Sequence, residues 1–219
     1  MNKVDTKAVR EKIVDMMGEL RKIITLYISN NEKAAAIEES TAFSRVYKDE
    51  QLARLKETLK GEARTRLDSL QRNYEKLVEV LKANDSVYDF SDPEFTACVA
   101  LLSATDQPLQ METISGIAKK FLGHRQVLLA LAEVAKETNK VVLKKKVFNT
   151  ETEAEKLQQS IISLDIGFPE SVISIPSIRS ELIGIARACG EELTEKETDL
   201  GTGYQDIMNS QIRVAMGLN

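Results

Sequence analysis

The side chains able to do chemistry are few and far apart in this sequence. The single histidine, His124, follows Gly123 and has only scattered serines and aspartates elsewhere, which is not the arrangement of a nucleophile, base and orienting acid. It reads as a surface or helix-capping residue. The two cysteines, Cys98 and Cys189, lie within the apolar helical patterns Phe95 to Leu102 and Leu182 to Leu193, where a free thiol packs as a small hydrophobe. One histidine and two distant cysteines do not make a zinc site, which takes four ligands or three and a water. The carboxylates of Glu191, Glu192 and Glu195 to Asp199 lack the spacing of a calcium loop and read as solvated acidic surface. Asp199-Leu200-Gly201-Thr202-Gly203 has the glycines of a turn that cradles a cofactor. However, Glu195-Lys196-Glu197-Thr198 precedes it instead of an apolar strand, and only 16 residues follow. The expectation is a flexible glycine loop before a last helix. No catalytic residue, no cofactor site and no metal site is assigned, so the chain is expected not to be an enzyme.

The elements that carry these residues are read from periodicity. Val9, Ile13, Met16, Leu20, Ile23 and Tyr27 fall at alternating steps of four and three, a heptad stripe on an amphipathic helix that wants a partner along its length. Gly18 weakens that helix locally, Asn30-Asn31 reads as its stop, and Glu32 to Glu39 as a further short helix before a cap or turn at Ser40-Thr41. A second stripe runs through Val46, Leu52, Leu55, Leu59, Ala63, Leu67, Leu70, Tyr74, Leu77 and Leu81. Its successive steps of four from Leu55 to Leu67 are a stutter, which locally relaxes left-handed supercoiling. The two stripes are expected to pair as an antiparallel hairpin within the chain or with the same stripes of a second subunit. The candidate interaction residues are therefore Val9, Ile13, Met16, Leu20, Ile23, Tyr27, Leu52, Leu55, Leu59, Leu67, Leu70, Tyr74, Leu77 and Leu81.

After a loop or extended linker at Asn84 to Ser91, Asp92-Pro93 is an N-cap followed by proline at the first helical position. It opens a helix through Phe95, Cys98, Val99 and Leu102 that breaks at Thr105 to Pro108. A second helix carries Met111, Ile114, Ile117, Ala118 and Phe121 and stops at Gly123, and a third runs from Arg125 to about Asn139. Val141 to Phe148, around Lys144-Lys145-Lys146, fits either helix extension or a short β-hairpin arm. Thr150 with Glu153 reads as a capping box, Ser171 to Ile175 as a short strand or loop, and about Ile178 to Cys189 and Tyr204 to Met216 as helices.

Composition narrows the function classes. Of the 219 residues, 42% are hydrophobic and 29% charged, too apolar for wholesale disorder and too charged for an integral membrane protein. No apolar run reaches the roughly 18 residues of a spanning helix and the N-terminus lacks a signal-peptide stretch, so a cytoplasmic location is expected. The net charge of −4 is uneven: Phe43 to Ala83 carries ten Lys/Arg against seven Asp/Glu, and Glu181 to Asn219 three against seven. The basic helix and Lys144 to Lys146 support a nucleic-acid partner only weakly, because such affinity grows with clustered phosphate contacts.

The strings P-E-F-T-A-C-V-A-L-L, E-T-I-S-G-I-A-K-K-F-L-G-H and V-L-L-A-L-A-E-V-A-K-E-T-N, with Phe121-Leu122-Gly123-His124 between two helices, resemble small helical proteins of the head gene clusters of tailed bacteriophages. The resemblance covers about Asp92 to Asn139. It implies a virion or capsid-assembly role and assigns no functional residue. Together these readings predict a mainly α fold in three segments: long helices over 1–84, a three-helix subdomain over 85–139, and a mostly helical region over 140–219. The expected function is a structural or assembly protein that associates with itself or docks on a larger protein assembly. The alternative is a nucleic-acid-associated regulatory module.

Overall fold

The computed structural model describes residues 5–85, 88–104 and 107–215. Every regular element among them is helical. They are α1 (Thr6–Glu39), α2 (Arg45–Asp85), α3 (Pro93–Ala104), α4 (Met111–Lys120), α5 (Arg125–Val134), α6 (Glu137–Lys144), α7 (Thr150–Gly167), a 3-10 helix (Glu170–Ser174), α8 (Ile175–Ala188), α9 (Glu195–Thr198) and α10 (Thr202–Ala215). The chain is mainly α. Four segments read from the sequence lie outside the described residues: Met1 to Val4, Ser86-Val87, Thr105-Asp106 and Met216. So do the side chains of Met208 and Ile212.

Two local expectations are corrected, and the alternative left open at 141–148 is decided for helix extension, to Lys144. Helix α1 does not stop at Asn30: the Asn30 side-chain amide donates to the Leu26 carbonyl one turn back (2.9 Å), so the asparagine stays inside the helix. At 141–148 there is no β-hairpin arm. Asn139 and Leu143 are buried while Val141 is half exposed, a helical period, whereas a strand would put 141 and 143 on one face. At 171–175 the chain forms the 3-10 helix in place of a strand, pinned when the Ser171 hydroxyl donates to the Leu164 carbonyl of α7 (2.7 Å).

The chain divides into two compact units, and each collects three stretches. The first is Met1–Glu11, Lys76–Glu155 and Leu182–Leu193, and the second is Lys12–Glu75, Lys156–Glu181 and Thr194–Asn219. The three consecutive segments expected from the sequence are therefore not the structural divisions. Helix α2 alone is about 60 Å long at 1.5 Å per residue. A helix of that length outruns one core, and α1, α2, α7 and α8 all contribute to both units.

In the first unit the core is built by α3 to α6 around Leu102, Ile114, Phe121, Leu128, Leu131 and Leu143, with Cys98 among them. Asp92 caps α3 as its sequence position implies, its carboxylate accepting from the Glu94 and Phe95 amides (2.7 and 3.4 Å). Gly123 takes φ +84 between α4 and α5, the left-handed stop that a side chain would strain. The start of α1 is tied in by the Asp5 amide donating to Asn84 Oδ1 (2.9 Å) and by Arg10 with Glu191 (3.2 Å).

In the second unit α1 and α2 run antiparallel. The register is marked by Lys48 donating to the Glu38 carbonyl near the turn and by Arg66 facing Glu19 (3.8 Å) further down. Ile13, Met16, Leu20 and Ile23 on α1, with Leu59, Ala63, Leu67 and Leu70 on α2, are buried. Burial thus follows the stutter. Helices α7 and α8 add Leu157, Ile161, Leu164, Ile175 and Ile178. Thr194 and Glu197 form a reciprocal capping box on α9. Arg21 donates through Nε to the Asp199 carbonyl (3.0 Å) and Arg179 to the Thr198 carbonyl (2.8 Å), holding the loop that leads into α10.

Candidate functional site

The stripe read from the sequence divides sharply on burial. Val9, Ile13, Met16, Leu20, Ile23, Leu59, Leu67, Leu70, Tyr74, Leu77 and Leu81 are buried in the chain itself, while Tyr27, Leu52 and Leu55 are only half-buried. The pairing of the long helices is intramolecular, and the buried positions are already occupied by the chain's own packing.

The least buried part of the hairpin is its tip. Between Asn30 on α1 and Leu59 on α2, no residue is buried. Within the turn the Ala42 amide donates to the Ser40 hydroxyl (3.3 Å) and the Tyr47 amide to the Ser44 hydroxyl that caps α2 (3.3 Å), and Lys48 reaches across to the Glu38 carbonyl. Phe43, just before α2, and Tyr47, in its first turn, stack tilted at 4.8 Å between ring centres and stay more than two-fifths exposed. Val46 beside them is 68% exposed. Leu52 and Leu55 with Ala34 and Ile37 form the half-covered seam behind. Phe43 and Tyr47 were not among the candidates from the sequence. Their signal was the i, i+4 aromatic pair set on a serine cap, before the first apolar residue of the second stripe that becomes buried.

Charge at the tip is segregated by arm. On α1, Glu32, Glu38 and Glu39 stand against Lys33; on α2 up to Thr58, Arg45, Lys48, Arg54 and Lys56 stand against Asp49, Glu50 and Glu57. The three α1 carboxylates and Arg54 form no ion pair among the described residues. Arg45 faces Asp49 (3.8 Å), and Lys56 binds Glu170, whose carboxyl is held below its ordinary value chiefly by that bond.

No family model, curated protein or solved structure matches this chain. Residues Asp92 to Asn139 build the centre of the first unit.

The other chemistry-bearing residues fall into structural settings. His124, expected at the surface or as a cap, is buried; it begins α5 by position without a side-chain cap bond and meets Tyr88 edge-on at 5.0 Å. Tyr88 also touches Phe90, Phe95 and Phe121 at 5.6 to 6.0 Å, gathering half of the chain's six phenylalanines and its only histidine. Its phenol is pushed up to about 12, first by burial and then by Asp92 and Glu94. Lys144 pairs with Glu133 (3.5 Å), which also holds Lys140 (3.4 Å), leaving Lys145 and Lys146 exposed. Of the α2 cations, Arg66 faces Glu19, Lys60 faces Glu57 (3.8 Å) and Arg72 is turned back onto the Asp68 carbonyl and Ser69. A groove of about 570 Å³ between α1 and α2, lined by Arg21, Lys22, Thr25, Glu62 and Arg66, has its cations answered in the same way. Among the described residues no three ligating side chains gather for a metal ion, and no helix is long and apolar enough to cross a membrane.

Both cysteines are buried. Burial, reinforced by Glu191, pushes the Cys189 thiol up to about 12; Cys98 is raised by burial too, with Glu94 adding and Lys120 opposing. The reactive species is the thiolate. Neither thiol is expected to react with a thiol-exchange reagent at pH 8 on the minute scale in the folded protein, and both should react at once in strong denaturant. Rapid native labelling of either would contradict the packing described.

Proposed function

We propose that this chain is a non-enzymatic structural or assembly protein that associates through the tip of its α1–α2 hairpin. The observation that supports this reading is the tip itself. Residues 31–58 extend two helices past the last buried layer of the hairpin and end in Phe43, Val46 and Tyr47 facing outward. Helical stability in proteins comes mainly from tertiary packing of an apolar face, and short helices without it are marginal in water. A tip that gains nothing from its own core is sustained for contact with something else. The likeness of Asp92 to Asn139 to phage head-cluster proteins supports a virion or capsid as the setting, located in the host cytoplasm or the particle. The nucleic-acid reading draws less support, because the cations of α2 and Lys144 are largely committed to carboxylates and carbonyls of the chain.

The test places a photo-crosslinking residue at Val46, and as a control at exposed Glu151, in the full chain expressed in its native setting. Defined adducts are expected from position 46 and not from position 151. Equal background at both positions, together with a strictly monomeric chain at high concentration, would sink the proposal.

A further inference from the structure

We draw no further inference here: the strongest candidate, the exposed apolar patch of Phe43, Val46 and Tyr47 at the tip of the α1–α2 hairpin, carries none, because nothing in the structure shows what covers it.

Discussion

Replacing Leu20 by alanine is expected to cost about 2–5 kcal/mol of stability, the range for emptying a well-packed leucine site. Leu20 is 0% exposed in the second unit, at the centre of the α1 stripe and flanked by Met16 and Ile23, which are equally buried. Its loss removes transfer energy and leaves a cavity that helices fixed along their whole length cannot close. For a chain of this size a cost of 3 kcal/mol lowers the melting temperature by about 10 °C. Val46→Ala is the contrast. Val46 opens the second stripe in the sequence, yet it is 68% exposed, and its change should stay within about 0.5 kcal/mol, the usual span for surface positions. The two variants contrast a buried position of the first stripe with an exposed position of the second: the former holds the fold, and the latter does not contribute to it. Circular dichroism melts at low protein concentration, where association does not contribute, measure both. A Leu20→Ala protein that melts with wild type would mean that the α1–α2 packing does not stabilise the chain.

Much of this fold was legible because the signals were chemical and local. Asp92-Pro93 caps α3, Gly123 follows α4 at positive φ, and the deeper parts of the two stripes are the buried faces of α1 and α2. The errors came where one residue type serves two environments. Asn30 carries a polar side chain that ends helices when it bonds its own loop, but here it bonds back to Leu26 and is buried. Ser171 to Ile175 alternates like a strand, yet the Ser171 hydroxyl reaching the Leu164 carbonyl fixes a helical turn, a contact between residues seven apart that periodicity does not register. The division into two units was beyond local reading altogether, since it depends on which parts of four long helices share a core.

The candidate site was legible only by subtraction. A stripe marks where burial is wanted and does not say whether the same chain supplies it. Leu20 and Leu52 look alike in the sequence, yet one is buried and the other half open. Likewise the basic excess of α2 is real as a count, but Arg66, Arg72 and Lys56 spend it on Glu19, the Asp68 carbonyl and Glu170. Net charge over a segment overstates the field that a partner meets whenever the opposing carboxylates come from other elements.

The same substitution at two glycines is expected to act with opposite sign. Gly203 sits at the start of α10, buried against α1, and a Cβ there would come 2.5 Å from Ile28 Cγ1 and 3.1 Å from Ile24 Cγ2. Ile28 Cγ1 lies one bond from its branch point, so it cannot swing aside as a flexible chain end would; the helix itself must move. Gly203→Ala is therefore expected to destabilise by about 1–3 kcal/mol, the common cost of overpacking. Gly61, exposed in mid-α2 with nothing within 4 Å of its Cβ position, has no such neighbour. Gly61→Ala should stabilise by up to about 1 kcal/mol, the helix propensity that glycine forgoes. Urea unfolding of both variants decides the matter. If Gly203→Ala also stabilised, α10 would not be seated on Ile24 and Ile28, and the Arg21 and Arg179 bonds to the loop before it would have lost their purpose of holding that helix in place.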